Sequence, residues 1–424
     1  MRYLWLIFVF LIVVVIAFVV IRGIDKPVSV VPPPTIPSWY EVYFSQVYAG
    51  DAISAKANSN SIDKKLVQKL SSAKTSIDAA LHEIDSEPIA NGIINAHQRG
   101  VKVRIVTETD YMDEHSIEAL QSAGIPVAND GGRSGLMHNK FIVVDRRYVW
   151  TGSFNTTDNG AYKNNNNAIW IDSPQLAVNF THEFNEMYKG KQFGSRSEKS
   201  LPNPVVTMPD NTKVHVYFAP ENDVIPALVE YIRQARQSIY FMAFSFTHDK
   251  LGNAMKERFQ AGIDVRGVFE TRGSNTSYSE YPSMKRLGIP VMQDTNKWIL
   301  HHKVIIIDGK TVITGSFNFS QNAATTNDEN VLILDGNTAI AQLYTQEFQR
   351  MSENIKPSTV PSISNKRNIN TMTKAELESL PGIGPKLADT ILVGRPYRSM
   401  KELQKVKGLG PKKLVTLKDK ITFE

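Results

Sequence analysis

Two stretches of this chain carry the same reactive residue types at the same spacing. The first is His138, Lys140 and Asp145, then Gly152, Ser153 and Asn155; the second is His301, Lys303 and Asp308, then Gly315, Ser316 and Asn318. Agreement at six positions in one register is beyond chance at about 1 in 20 per position under ordinary residue usage. The imidazole is a titratable base or nucleophile, while the ammonium, hydroxyl and amide are donors, and no acidic metal-ligand set accompanies them. Two such copies face to face form a small cationic cage around two histidines. That chemistry suits a phosphate diester.

The elements that must hold these groups follow from the residues beside them. Each histidine precedes an apolar run, Phe141 to Val144 and Val304 to Ile307, that reads as a buried strand. Residues two apart on a strand share a face, so His138 projects with Lys140 and His301 with Lys303. The Gly-Ser pair lets backbone and hydroxyl approach a ligand, and the asparagine adds an amide donor.

The pattern H-x-K-x4-D-x6-G-S-x-N, written twice, resembles the signature of the phospholipase D superfamily, over about Trp39 to Met351. The resemblance implies that one histidine attacks phosphorus to give a phosphohistidine. The other protonates the leaving oxygen and later activates water, with Lys, Ser and Asn holding the phosphate oxygens and no metal or cofactor required. By position the catalytic set is His138, Lys140, Asp145, His301, Lys303 and Asp308, and the phosphate-binding set is Ser153, Asn155, Ser316 and Asn318. The family's usual order makes His138 the nucleophile and His301 the acid. Asp145 and Asp308 either orient a neighbour or pair a nearby cation. Asn327-Asp328-Glu329-Asn330 fits the family's Asn-x-Glu-Asn and makes Glu329 a histidine-orienting acid, whereas the first copy has the amide of Asn166 there. A carboxylate raises imidazole basicity and an amide only orients it, so the two histidines are expected to differ in pKa. His302 is expected to face away from the site in a structural role.

A long internal repeat surrounds the two motifs. Val42-Tyr43-Phe44 answers Val216-Tyr217-Phe218, Gly100 to Arg104 answers Gly262 to Arg266, and Gly124-Ile125-Pro126-Val127 answers Gly288-Ile289-Pro290-Val291. A repeat of this length means two homologous half-domains, residues 39–200 and 201–355, each α/β from alternating strand and helix periodicity. They should form an internal pseudo-dimer about a pseudo-twofold within a monomer.

The chain's 424 residues suffice for two to three domains, and the absence of cysteine excludes disulfides, thiol catalysis and cysteine-bound zinc. From Lys366 to Glu424 there are thirteen Lys and Arg against six Asp and Glu, so the formal charge of +6 belongs to the tail. Beyond a linker at 356–366, Pro381-Gly382-Ile383-Gly384-Pro385-Lys386 is echoed by Lys407-Gly408-Leu409-Gly410-Pro411-Lys412, followed by Lys413. These paired Gly-x-Gly turns resemble a helix-hairpin-helix module, expected to be all-α over 367–424. In such a module Gly382, Gly384, Lys386, Gly408, Gly410, Lys412 and Lys413 grip the DNA backbone without sequence preference.

Leu4 to Ile21 contains no charge, so residues 1–24 read as a transmembrane anchor and 25–38 as a stiff Pro-rich spacer. A single-pass anchor with the catalytic part outside the cytoplasm is expected. The whole reads as a membrane-anchored, metal-independent DNA nuclease. The rivals are a phospholipase D or cardiolipin synthase-like enzyme acting on phospholipid, and a membrane DNA receptor without turnover.

Overall fold

The computed structural model describes residues 38–45, 56–353, 367–418 and 420–423. The anchor and spacer expected at 1–38 lie outside these residues except for Ser38, and among the described residues no helix is long and apolar enough to cross a membrane.

The first half builds a seven-stranded sheet from β1 (Tyr40–Phe44), β2 (Ser76–Leu81), β3 (Lys102–Thr107), β4 (Val127–Asn129), β5 (Lys140–Val144), β6 (Tyr148–Gly152) and β7 (Asn167–Asp172). The second half repeats it with β9 (Lys213–Ala219), β10 (Ser238–Ala243), β11 (Asp264–Phe269), β12 (Val291–Gln293), β13 (Lys303–Ile307), β14 (Thr311–Gly315) and β15 (Glu329–Asp335), with β8 (Val205–Thr207) added at one edge. The strand orders, β1-β7-β6-β5-β2-β3-β4 and β9-β15-β14-β13-β10-β11-β12, are the same. In both halves the motif strand is antiparallel to its neighbours, β5 between β2 and β6 and β13 between β10 and β14.

Burial of both faces explains the unbroken apolar runs. On β5, Ile142 and Val144 pack outward with Leu66, Leu70, Ile89 and Ile93 from helices Ile62–Ser71 and Glu87–Gln98. Phe141 and Val143 point the other way, into a core that both halves share. There Phe141 stacks edge-on against Phe180 of helix Pro174–Asn185, and Phe180 against Phe218 of β9, at centroid distances of 5.0 and 5.1 Å. Each such ring contributes about 1.5–3 kcal/mol through burial. The two sheets are thus glued back to back, and the strand ends that bear the histidines are fixed relative to each other.

The hairpins β5–β6 and β13–β14 were not foreseen from periodicity. Their three-residue loops, 145–147 and 308–310, begin with two residues in left-handed backbone, with φ 54° and 52° at Asp145 and Arg146, and 52° and 59° at Asp308 and Gly309. Aspartate tolerates that region because its short carboxylate bonds locally.

The tail forms its own small core around Ile369, Leu377, Leu380, Ile383, Ala388, Ile391, Leu403, Leu409 and Leu417. It is not purely α: Arg367–Asn368 and Ile421–Thr422 form a short parallel ladder that ties its two ends together.

Candidate active site

His138 and His301 sit just ahead of β5 and β13, where the two halves exchange backbone hydrogen bonds. The His138 amide donates to the Asp328 carbonyl at 3.0 Å, and the His301 amide to the Asn165 carbonyl at 2.9 Å. Each histidine is therefore pinned by the opposite half.

The ring partners are exchanged in the same way. His138 Nδ1 lies 2.8 Å from Oε2 of Glu329, which belongs to the second half. His301 Nδ1 lies 3.0 Å from both Oδ1 of Asn166 and the carbonyl of Ser153, which belong to the first. Nδ1–H donated to an oxygen leaves Nε2 of each ring for chemistry. The buried lysines fold back on the same turns: Lys140 Nζ donates to the His138 carbonyl at 2.7 Å and Lys303 Nζ to the His301 carbonyl at 2.8 Å.

Electrostatically the groups form one site. Burial, then the charges of Lys140 and Lys303, hold both imidazoles well below the ordinary histidine value, and the charge on His138 itself depresses His301. Burial pushes Lys140 down to about 7 and Lys303 well below the usual lysine range. It pushes the Glu329 carboxyl up to about 8. At His138 burial outweighs the nearby Glu329, a carboxyl that itself resists ionising. Desolvation penalises every charge here, so the cleft without a ligand sheds cationic protons. An anionic phosphate supplies the missing counter-charge and would restore them.

The serines are not open to a ligand. Ser153 Oγ donates to Asn166 Oδ1 at 3.0 Å and accepts the Asn167 amide, while Ser316 Oγ donates to Glu329 Oε2 at 2.6 Å and accepts the Asn330 amide. Both are fully buried. They brace the residues that orient the histidines rather than hold phosphate oxygens. Gly152 and Gly315 are likewise demanded by the protein, since a Cβ there would lie 2.3 and 2.2 Å from the carbonyl oxygens of Asn167 and Asn330. Asn155 and Asn318 remain half-buried at the cleft; Asn155 Nδ2 reaches Glu83 Oε2 at 3.2 Å, and the Oδ1 of each asparagine has no hydrogen-bond partner.

Asp145 and Asp308 leave the catalytic set. Each lies at the far end of its strand, about five residues at ~3.3 Å from the histidine end. The Asp145 carboxylate accepts the amides of Lys74, Thr75 and Ser76, and Asp308 those of Arg236, Gln237 and Ser238. Those backbone donors hold both carboxyls below the usual range despite the opposing cost of burial. Their work is to staple the hairpin turn to the start of β2 or β10. His302 faces away, fully buried between Asn167 and Glu347 at 3.0 Å each.

Sequence reasoning missed the aromatic neighbours. The His82 ring lies 4.8 Å from His138 and the Phe244 ring 4.8 Å from His301, and Lys303 Nζ stands 4.7 Å over Phe244. Each follows its strand, β2 or β10, at the same offset, so the repeat alignment carried the signal. Burial keeps His82 far below the ordinary histidine value, so it stays neutral.

In the tail, Gly382 (φ 82°) and Gly408 (φ 102°) make the two turns, and helices Pro385–Val393 and Pro411–Lys418 follow them. A Cβ on Gly382 would meet Lys413 at 3.4 Å and one on Gly408 would meet Leu387 at 3.3 Å, five residues past the other glycine in each case. The hairpins therefore pack reciprocally. Gly384 caps its helix without any side-chain hydrogen bond, and Lys386 is exposed beside it. Gly410 immediately precedes the second helix, Lys412 lies in its first turn, and Lys413 Nζ reaches the Gly408 carbonyl at 3.3 Å.

Comparison with known proteins gives the same two parts. Residues 66–188 and 228–352 match the model described as cardiolipin synthase, PLD-like domain, and 364–422 match the helix-hairpin-helix motif. The chain is 35% identical over 127 residues to the mitochondrial cardiolipin hydrolase of Danio rerio, covering 30% of this chain and 56% of that protein. It is 30% identical over 173 residues to the phospholipase D of Rickettsia prowazekii (strain Madrid E), covering 41% and 83%. It thus spans about half the length of the cardiolipin hydrolases it matches. Among solved structures, phosphatidylserine synthase of Haemophilus influenzae Rd KW20 shares the fold at 13% identity, with a TM-score of 0.56 over 75% of this chain and 86% of that one. The phospholipase D family member Nuc from Salmonella typhimurium is 33% identical, with a TM-score of 0.32 over 34% of this chain and 95% of that one. Two matched segments in register with the two halves place the chain in the phospholipase D-like family.

Proposed function

We propose that this protein is a membrane-tethered nuclease that cleaves DNA through a phosphohistidine, without a metal ion. The observation that carries DNA as the substrate is the reciprocal pair of basic hairpins. Each presents a glycine turn and a helix N-terminus, where free amides and the helix dipole favour a phosphate. A lipid substrate gives no reason for such a module.

In the first step His138 Nε2 attacks phosphorus, the P–N bond forms and the P–O bond to the leaving strand breaks. His301, protonated in the anionic complex, gives its Nε2 proton to the departing oxygen. In the second step His301 takes a proton from water, the hydroxyl adds to phosphorus and the P–N bond breaks. Glu329 stabilises positive charge on His138 as the P–N bond forms. Asn166 and the Ser153 carbonyl orient His301 without holding its proton. Lys140, Lys303, Asn155 and Asn318 are the donors for the phosphoryl oxygens.

The apolar segment Leu4 to Ile21 supports a membrane tether with the cleft outside the cytoplasm, which protease accessibility of a C-terminal tag in intact cells tests. The names of the cardiolipin hydrolase relatives favour one alternative, a phospholipid diester as substrate. The purified chain, given excess EDTA, is expected to nick or degrade DNA, and His138→Asn or His301→Asn to abolish cleavage while DNA retention on a filter persists. Headgroup release from cardiolipin vesicles with no cleavage of nucleic acid would establish the lipid reading instead. Binding of DNA with turnover of neither would make the protein a receptor.

A further inference from the structure

Away from the cleft, the two halves differ in charge at the equivalent positions Glu186 and Arg350. Helix Thr338–Met351 of the second half carries Gln346, Glu347 and Arg350; the aligned residues of the first half are His182, Glu183 and Glu186. Glu347 is well satisfied: Arg350 donates to it at 2.7 and 2.8 Å and His302 lies 3.0 Å away, which holds its carboxyl down to about 2. In the first half the arginine is replaced by a carboxylate. Glu183 is buried among the carboxyls of Glu221, Asp328 and Glu186. A cation that the fold supplies from a side chain in one half is missing from the other.

Beside Glu183 stand side chains of types that can bind a metal ion. Glu186, 6% exposed, accepts the Glu198 amide on Oε2 but has no hydrogen bond at Oε1. His182 Nε2 lies 2.9 Å from that Oε1 without the alignment of a hydrogen bond, and 3.9 Å from Oε2 of Glu198. One ligand atom from each of the three residues falls within 4.8 Å of the others. Ligand atoms ~2.0–2.2 Å from a tetrahedral ion stand about 3.3–3.6 Å apart, so small side-chain movements would close the set. A π-helical turn begins at Glu186, and such turns are frequent at functional sites.

We propose that His182, Glu186 and Glu198 bind a divalent transition-metal ion of the zinc class. One imidazole with two carboxylates suits zinc better than calcium, which takes six to eight oxygens. The ion would link the end of helix Pro174–Asn185 to the segment that leads into the second half. That segment also meets the cleft, since the Gly194 amide donates to Asp328, whose carbonyl holds His138. The ion's role is to brace this segment, and it takes no part in phosphoryl transfer.

The test uses the full chain stripped with chelator. Zinc is expected to bind at one equivalent by calorimetry and, at a hundredfold excess over Kd, to raise Tm by about 3 °C. His182→Gln and Glu186→Gln should lose both effects. Glu186→Arg restores the residue type of the second half, so it should melt in chelator at or above the wild-type temperature and ignore zinc. No zinc uptake by the wild type, uptake unchanged in the variants, or an equal response to calcium would each overturn the proposal. DNA cleavage in chelator, below the melting temperature, reports on the catalytic reading separately.

Discussion

Replacing Glu329 by glutamine isolates the charge behind His138 from the geometry around it. A glutamine can keep its carbonyl on His138 Nδ1–H, as Asn166 does for His301, so the ring stays oriented. What is lost is one charge-assisted hydrogen bond to an imidazole that becomes cationic as the P–N bond forms. Such bonds contribute about 1.5–3 kcal/mol, which predicts a fall in kcat of roughly 10- to 150-fold with KM little changed. Stability should move the other way. The carboxyl is fully buried and raised from 4.5 to about 8, so its contribution to folding is present at low pH and is lost as pH rises through that range. Glu329→Gln removes that loss, and its Tm should equal the wild type near pH 5 and exceed it increasingly toward pH 9. Turnover of bis(4-nitrophenyl) phosphate and of DNA in EDTA, beside melting curves from pH 5 to 9, reads both effects. A variant with wild-type kcat, or one whose lost activity follows a lower Tm, refutes the role given to this carboxylate.

His301→Asn removes the acid but leaves the nucleophile, so with a 4-nitrophenyl leaving group it should release one equivalent of nitrophenol and stall as a phosphohistidine; the same burst from His138→Asn would reverse the assignment. Asp145→Ala should cost about 1–2 kcal/mol by freeing the amides it caps, with kcat within a few-fold of wild type below the melting temperature, whereas a hundredfold loss would return it to the catalytic set. Deleting Lys366 to Glu424 should weaken DNA binding and flatten the slope of log K against log salt, and an unchanged slope would remove the hairpins from the account. Because burial lowers Lys140 to about 7 and Lys303 well below its usual range, binding of an anionic phosphate analogue at pH 8 should be accompanied by net proton uptake, measurable as buffer-dependent calorimetric heat; proton release would contradict the electrostatic picture.

The halves, the motif strands, the two histidines and the Lys and Asn side chains beside them were legible because each is written locally and twice. The doubled His-x-Lys pattern fixed which strand ends matter, and the apolar runs after it fixed which strands are buried on both faces. What the spacing could not express was exchange. Glu329 follows the second histidine in sequence, and nothing in its position says that it serves the first. Ser153 and Ser316 read as phosphate donors because a hydroxyl after glycine is free to do either job. Only the sheet neighbour carrying Asn166 or Glu329 decides that it is spent inside the protein. Asp145 and Asp308 look catalytic because they recur with the histidines, yet they recur because each hairpin needs a residue that accepts left-handed backbone and caps three amides. Co-occurrence in a motif reports a shared structure as readily as a shared reaction.

That exchange explains why two unequal copies in one chain serve this chemistry better than two equal ones. If the halves were identical, the same side chain would stand behind each histidine, and only the bound substrate could tell nucleophile from acid. Here the first half gives His301 an amide and a carbonyl, neither of which stabilises an imidazolium as a full charge does, so the proton leaves readily. The second half gives His138 a carboxyl held by Ser316, which can become charged as the histidine does. In the proposed mechanism the difference between Asn166 and Glu329 separates the two roles. Because each residue reaches across the interface, neither half contains a complete histidine site without the other.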